Sequence, residues 1–189
     1  MKQNEKVIIF SAPSGAGKTT IVKHLLSTNN RLVFSVSACT RQKRESEKDR
    51  EDYHFLSVED FKKKIELNEF VEWEEVYEGS FYGTLKSEIT RIWKSNKSIL
   101  FDADVEGGLS LKKYFGDKAL AVFVKAPSLH ELERRLRNRK TETEKSLKVR
   151  LSKAMREMEY EKSFDVVLVN DTPEESCREA NQIVNRFLE

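Results

Sequence analysis

A short apolar run, a glycine-containing loop and a helical pattern follow one another near the start of the chain, and this order restricts the possible folds most. The run is Val-Ile-Ile-Phe at residues 7–10, the loop covers residues 11–20, and helical spacing of apolar residues extends over residues 18–27. A strand that leads into a helix through such a loop is typical of a P-loop, whose backbone N–H groups surround phosphate oxygens. The sequence therefore predicts an α/β fold whose first loop binds polyphosphate.

The residue types in this loop suit ATP and magnesium. Gly15 and Gly17 permit backbone turns that point amide groups inward, and the following helix N-terminus adds partial positive charge. Lys18 is predicted to reach the β and γ phosphates, and the Thr19 hydroxyl is predicted to ligate Mg²⁺. The strict pattern begins with glycine where this chain has Ala12, and a glycine-rich turn that only starts a helix is the alternative. The predicted ATP-binding residues of the loop are Ser14, Gly15, Ala16, Gly17, Lys18, Thr19 and Thr20.

Further apolar runs alternate with helical patterns along the rest of the chain. The runs at residues 98–101, 120–124 and 166–169 predict buried strands, and residues 107–115, 128–138 and 172–188 have helical spacing or helix signals. Near-continuous apolarity indicates a parallel sheet that is covered on both faces. The sequence therefore predicts a P-loop NTPase core, in which helices flank a parallel β-sheet.

Two segments interrupt this alternation. Residues 37–94 combine a charged loop with short β-like pieces and a helical pattern, and we predict that they form an inserted mixed β/α lobe. Residues 137–156 are dense in Arg, Lys and Glu, with a thin apolar line of Leu147, Leu151 and Met155, and we predict a helical lid. The predicted core of this single 189-residue domain then comprises residues 1–36, 95–136 and 157–189.

The charge balance bears on the possible partners. The chain has 34 basic and 32 acidic residues and a formal net charge of +2, so we expect neither a nucleic-acid nor a membrane partner. No run approaches the roughly 20 apolar residues that span a bilayer, and the polar first residues show no signal segment. Cys39 and Cys177 are expected to be free thiols in a reducing compartment. These features predict a cytoplasmic protein.

An aspartate follows the apolar run at residues 98–101. Because ligands bind at the carboxyl edge of a parallel sheet, Asp102 is expected to lie beside the P-loop. It is predicted to hold Mg²⁺ directly or through water, as a Walker B acid does. A plain turn at the end of a strand is the alternative, because Asp is common there.

An ordered series of residues in the inserted segment, together with the P-loop, resembles the guanylate kinase family. The series consists of Ser-Val-Ser-Ala-Cys-Thr-Arg at residues 35–41, Arg44, Asp-Tyr-His-Phe at 52–55, Asn-Glu-Phe-Val-Glu-Trp at 68–73 and Phe-Tyr-Gly-Thr at 81–84. The resemblance covers nearly the whole chain. It implies transfer of the γ-phosphoryl group of ATP to GMP, giving ADP and GDP, with Mg²⁺ as cofactor. It implies dGMP as a weaker acceptor, and it leaves a monomer and a homodimer both open.

The resemblance also implies which residues bind the acceptor, GMP. Two arginines and two tyrosines are implied to bind the GMP phosphate, and guanidinium forks suit such a dianion. Glu72 is implied to accept hydrogen bonds from guanine N1 and N2, with the hydroxyls of Ser37 and Thr84 completing the contact. Solvated surface positions are the alternative for both arginines and for Glu72. The predicted GMP-binding residues are Ser37, Arg41, Arg44, Tyr53, Glu72, Tyr82, Thr84 and Asp102.

The chain departs from the family pattern at several positions. The family usually has proline and glycines in the loop before Tyr53, where this chain has charged and polar residues. These departures bear on loop conformation and acceptor affinity rather than on the reaction. They are Cys39, Glu45, Ser46, Arg50, Glu106 and Lys140.

The predicted lid contributes arginines to the same site. The resemblance implies that Arg135, Arg139 and Arg150 fold over the phosphates. Ordinary surface ion pairs are the alternative for them, because pairs along a helix face are common. Asn170, after the last strand, is predicted to line the ATP base site. The predicted catalytic residues are Lys18, Arg41, Arg139 and Arg150.

Three other functions fit parts of the sequence. They are a kinase-inactive guanylate-kinase-like binding module, a related kinase for another small phosphate such as a ribose bisphosphate, and a P-loop ATPase. The intact P-loop and arginines argue against the first, Glu72 favours a guanine acceptor over the second, and the third leaves the inserted lobe unexplained. We therefore predict direct in-line transfer that depends on positioning and electrostatics, with no phosphoenzyme.

Overall fold

A computed structural model describes residues 5–138 and 144–189 of the chain. Within these ranges the strands are β1 (Val7–Ser11), β2 (Leu32–Phe34), β3 (Ala38–Cys39), β4 (His54–Phe55), β5 (Phe70–Tyr77), β6 (Ser80–Leu85), β7 (Ser98–Ala103), β8 (Ala119–Lys125) and β9 (Val166–Val169). The α-helices are α1 (Lys18–Thr28), α2 (Val58–Glu66), α3 (Lys86–Lys94), α4 (Val105–Phe115), α5 (Leu129–Arg137), α6 (Glu144–Met158) and α7 (Pro173–Leu188). Short 3₁₀ turns cover Gly116–Lys118 and Glu159–Ser163.

The central sheet contains five parallel strands in the order β2-β7-β1-β8-β9. Strand β1 lies in the middle, and its residues Val7 and Phe10 are fully buried. Phe10 is paired with Asp102 of β7, so the aspartate lies one residue before the end of β7, next to the start of the P-loop. The predicted fold class, a P-loop NTPase core with an inserted lobe and a further helical segment, is confirmed.

Helices cover both faces of this sheet because successive strand residues point in opposite directions. On one face, Ile8 and Phe10 pack with apolar residues from α1, α5, α6 and α7. On the other face, Val7 and Ile9 pack with residues from α3 and α4. In the described part of the chain, no helix is both long and apolar enough to cross a membrane.

The two outer strands differ from the sequence prediction. Strand β2 was not predicted, because only three residues carry it. Residues 166–169 were predicted to be buried, but they form the edge strand β9, whose side chains Val167 and Val169 are 36% and 43% exposed. Leu168, between them, is fully buried and packs in the same core cluster as α7. The apolar run therefore indicated a strand but not two covered faces.

The inserted segment forms a second sheet in the order β4-β3-β6-β5. Strands β5 and β6 are an antiparallel hairpin, and Phe61 of α2 packs against Phe70 and Phe81 beneath it. Helix α3 lies within the predicted lobe boundary, but its residues Ile89 and Ile92 pack in the core cluster of the main sheet.

Helix α6 accounts for most of the predicted lid. Leu147 and Ala154 are buried and Leu151 is partly buried against the main core. Met155, which was predicted to share this apolar line, is 55% exposed. Met155 follows Leu147 by eight residues and lies about 80° around the helix from it, so it stands at the edge of the face that Leu147, Leu151 and Ala154 bury. The N-terminal part of the lid, residues 139–143, lies outside the described residues.

Candidate active site

The P-loop forms the connection between β1 and α1. Gly15 and Gly17 have φ angles of 94° and 93°, in the left-handed region that favours glycine. Helix α1 begins directly after Gly17, and no side chain caps its N-terminus. The first backbone N–H groups of α1 therefore remain available to a phosphate, and the helix dipole favours the negative charge.

Lys18 and Thr19 both contact the aspartate at the end of β7. Lys18 Nζ lies 2.6 Å from Asp102 Oδ1 and also donates to the carbonyl of Ala103. Thr19 Oγ1 donates to Asp102 Oδ2 at 3.5 Å. Hydroxyl and carboxylate oxygens are hard ligands of the kind that Mg²⁺ prefers, with waters and phosphate oxygens as its other ligands. The chemistry of this oxygen pair fits a magnesium ion.

A cavity of about 430 Å³ opens over the P-loop. Of the seven predicted loop residues, six line it and Ala16 is fully buried. The lining residues are Ala12, Pro13, Ser14, Gly15, Gly17, Lys18, Thr19, Thr20, Asp102, Asp104, Arg150, Lys153 and Glu157.

One face of α6 supplies the opposite wall of this cavity. Arg150 Nη1 donates to Ser14 Oγ at 3.1 Å, so the structure places this predicted arginine on the P-loop. Lys153 and Glu157 also line the cavity, and burial raises the pKa of Glu157. Neither residue was predicted from the sequence, although their spacing of three and seven from Arg150 is the signal of a shared helix face.

Two other predicted residues contact the backbone around the loop. Asn170 is 5% exposed, and its Nδ2 donates to the carbonyl of Ala16 at 2.7 Å. Asn170 therefore supports the P-loop backbone. It was predicted to line the ATP base site, but it is not among the residues that line the cavity. Arg135 donates to Glu131 at 2.7 Å and to the Asp171 carbonyl at 3.0 Å. Arg139 lies outside the described residues.

A second cavity, of about 380 Å³, lies between the inserted lobe and the main sheet. Six of the eight residues predicted to bind GMP line it, which places residues from five separate strands and loops on one surface. The lining residues are Ser37, Tyr53, Glu72, Glu74, Val76, Tyr82, Gly83, Thr84, Phe101, Asp102, Ala103, Asp104, Gly107 and Leu111.

Strand register brings a carboxylate and a hydroxyl together in this second cavity. Glu72 and Thr84 are direct partners in the β5–β6 hairpin, and Thr84 Oγ1 donates to Glu72 Oε1 at 2.7 Å. Burial raises the pKa of Glu72, and the charges of Asp104 and Glu74 raise it further, while the Thr84 bond opposes them. Glu74, which the sequence analysis did not single out, also has a pKa raised by burial and by Asp104. A carboxylate held in this way can accept hydrogen bonds from neighbouring N–H donors of a ligand.

Aromatic rings connect the cavity wall to Arg41. Tyr53 and Tyr82 meet edge to face, with ring centroids 6.1 Å apart. The Arg41 guanidinium lies over the Tyr53 ring, 4.8 Å from its centroid. Neither predicted arginine is among the residues that line the cavity; Arg41 contacts the wall residue Tyr53, and the Arg44 side chain is exposed.

The two cavities share Asp102 and Asp104 in their walls. A P-loop that can bind a polyphosphate thus adjoins a polar cavity that presents a carboxylate, a hydroxyl and phenols. This arrangement defines a P-loop phosphotransferase with separate donor and acceptor sites.

Comparison with known proteins identifies the family. The guanylate kinase family model matches residues 4–187. The chain is 46% identical to a guanylate kinase of Porphyromonas gingivalis, covering 97% of this chain and 98% of the relative. It is 50% identical to one of Chlorobaculum tepidum, covering 88% and 85%. The crystal structure of guanylate kinase from Anaplasma phagocytophilum superimposes with a TM-score of 0.73 at 27% identity, covering 96% and 85%. The chain belongs to the guanylate kinase family, the ATP:GMP phosphotransferases among the nucleoside monophosphate kinases.

Proposed function

We propose that the chain transfers the γ-phosphoryl group of ATP to GMP, with the ATP phosphates on the P-loop and GMP in the Glu72 cavity. The observation that carries this assignment is the wall of Asp102 and Asp104 that both cavities share. Ligands in two cavities with a common wall are held close together, and proximity is the main requirement for phosphoryl transfer.

In the proposed reaction, an oxygen of the GMP phosphate attacks the γ-phosphorus of ATP. The bond between that phosphorus and the β–γ bridging oxygen breaks, and ADP leaves with the electron pair. Lys18 exchanges its contacts with Asp102 and Ala103 for phosphate oxygens, and Arg150 adds positive charge from α6. Mg²⁺, when bound at Thr19 and Asp102, supplies further neutralisation of the phosphate charge. Arg139 remains a prediction from the family resemblance.

The proposed acceptor specificity depends on hydrogen bonds to the base. Glu72 would accept from guanine N1 and N2, and the hydroxyls of Thr84 and Ser37 would complete the contact. Adenine presents no matching pair of donors at this edge, so the half-buried Glu72 carboxylate would keep only the Thr84 hydroxyl and would gain no hydrogen bond from the base. Arg41, Arg44, Tyr53 and Tyr82 are proposed to bind the GMP phosphate.

The proposal extends to the setting of the reaction. In the proposed division into core, lobe and lid, the donor would bind to the core and lid and the acceptor to the lobe. dGMP has the same base and phosphate as GMP, so it should react, and the family resemblance implies that it reacts more weakly. The even charge balance and the two buried free thiols support a cytoplasmic location, and a monomer or a homodimer would be compatible with the site.

A coupled assay for ADP release tests this assignment, with ATP and either GMP, dGMP, AMP, UMP or no acceptor. We expect strong preference for GMP, and Lys18→Ala should abolish turnover with every acceptor. Glu72→Gln should lower kcat/KM for GMP by about 10²-fold, since each hydrogen bond to a charged group contributes about 1.5–3 kcal/mol and 1.4 kcal/mol is a tenfold change. Glu78→Gln, an exposed glutamate on the same hairpin, is the matched control and should behave as the wild type.

Other outcomes would point to other functions. ADP release that is independent of acceptor would indicate an ATPase. An equal loss toward GMP and AMP in Glu72→Gln would contradict the base-reading role of Glu72.

A further inference from the structure

The predicted phosphate-binding arginine Arg41 has an internal carboxylate partner that the sequence analysis did not assign. Its Nη1 and Nη2 donate to Glu47 Oε2 and Oε1, both at 2.6 Å. Glu47 Oε2 also accepts from the backbone N–H of Arg44 at 2.9 Å. One carboxylate therefore fixes the guanidinium of the first arginine and the backbone of the second.

This ion pair is sheltered from water on several sides. The side chains of Arg41 and Glu47 are 20% and 13% exposed. The guanidinium also lies over the rings of Tyr53 and Phe55, at 4.8 and 5.5 Å from their centroids. Hydrogen bonds from Arg41 and from the Arg44 N–H lower the pKa of Glu47 to about 2, so Glu47 stays charged at any pH where the protein would act.

The geometry leaves part of the guanidinium for a ligand. Arg41 presents its Nη1–Nη2 edge to Glu47, whereas a guanidinium can form a second two-point contact through Nε and the other hydrogen of Nη2. The Tyr53 ring under Arg41 lines the acceptor cavity, so Glu47 holds the guanidinium 4.8 Å from a ring of the cavity wall.

We propose that Glu47 is a positioning residue for the acceptor phosphate, acting through Arg41 and the Arg44 backbone. This inference rests on the proposed function, in which these arginines bind GMP. A long arginine side chain loses rotamer freedom when a ligand immobilises it. Glu47 imposes that restriction during folding, so that GMP binding does not have to. If Glu47 instead competes with the phosphate for Arg41, removing the charge of Glu47 should raise the affinity for GMP.

Steady-state kinetics with the full chain distinguish the two relations. In Glu47→Gln we expect KM for GMP to rise roughly three- to tenfold, because one rotamer-rich side chain is no longer pre-positioned, while kcat and KM for ATP change much less. Glu47→Asp, which keeps the charge, should give a smaller rise. The matched control is Glu51→Gln, which makes the same charge change in the same loop. Glu51 pairs with exposed Lys48 at 3.2 Å, and its variant should match the wild type.

Calorimetric binding of guanosine separates positioning from general damage to the lobe. Guanosine has the base but no phosphate, so its affinity should be the same in wild type and Glu47→Gln, whereas GMP affinity should fall. An unchanged or lower KM for GMP in Glu47→Gln would overturn the proposal, and so would an equal loss of guanosine binding. A wild-type chain that does not phosphorylate GMP would instead refute the proposed function.

Discussion

Replacing Gly17 by alanine should destabilise the P-loop for two separable reasons. The φ angle of 93° is unfavourable for any residue with a Cβ. In addition, a Cβ at this position would overlap Nδ2 of Asn170. That side chain is 5% exposed and donates to the Ala16 carbonyl at 2.7 Å, so it cannot move aside without losing a buried hydrogen bond.

The expected size of the effect follows from these two terms. The left-handed conformation costs about 1–2 kcal/mol for a residue other than glycine, and about 0.5–1 kcal/mol is regained because alanine loses less backbone entropy on folding. A buried amide that loses its partner costs about 1–3 kcal/mol. Gly17→Ala should therefore lower the free energy of unfolding by about 1–4.5 kcal/mol.

A double-mutant cycle measured by urea unfolding isolates the overlap. Asn170→Ala alone should cost about 1–2 kcal/mol through the lost bond to Ala16. In the double variant the added methyl group meets no amide, so the total loss should fall short of the sum by about 1–3 kcal/mol, the cost of the lost amide hydrogen bond. Gly79→Ala is the control for the backbone term, since Gly79 has a φ of 73° and a Cβ added there would meet nothing within 4 Å. Strict additivity of Gly17→Ala and Asn170→Ala would refute the reasoning.

Two further changes test other parts of the structure. Arg50 has a φ of 64°, in the left-handed region that favours glycine, and the family usually has glycine in this loop. Arg50→Gly should therefore stabilise the chain by about 0.5–1 kcal/mol in thermal unfolding. The control is Glu51→Gly, at a residue outside the left-handed region, and this change should not stabilise the chain. Glu88→Gln should cost about 1–3 kcal/mol at neutral pH, because Glu88 is 3% exposed and accepts hydrogen bonds from Val36 N–H and Arg91. Burial alone would raise the pKa of Glu88, but the hydrogen bonds from Arg91 and Val36 outweigh burial and hold the pKa below the usual range of a glutamate. The contribution of the charged Glu88 to the free energy of unfolding is therefore complete above the usual glutamate pKa and is lost as the pH falls through the lowered pKa. The unfolding curves of the wild type and Glu88→Gln should therefore converge in acid. A gap that persists in acid would contradict this account.

Much of the core could be predicted because its signals are local. The P-loop pattern sits between an apolar run and a helix, and continuous apolar runs identify strands that other strands flank on both sides. Strand β2 was missed because three residues carry no periodicity. Helix α3 was missed because Leu85, at its N-cap position, offers no capping side chain. The exposure of β9 could not be predicted, since its position at the sheet edge depends on strand order.

The candidate site divides in the same way. Residue types and spacing predicted the P-loop residues and Asp102, whereas the family resemblance implied the other residues of the acceptor cavity and their roles. The contact of Glu47 with Arg41 spans six residues of irregular loop, where no periodic rule applies. The contact of Asn170 with Ala16 joins residues 154 positions apart. Such contacts depend on tertiary packing, and only the structure showed them.

The hydrogen bond between Glu88 Oε1 and Val36 N, at 3.2 Å, also joins the two ends of the insertion. The chain leaves the main sheet at Val36 and returns at the start of α3, and Val71 of the β5–β6 hairpin also packs against the core of the main sheet. A different hairpin placed between these two positions would have to supply an apolar side chain in place of Val71 to keep that part of the core covered. Under the proposed function, the acceptor could then be changed by exchanging this one segment while the parallel sheet and the P-loop are kept.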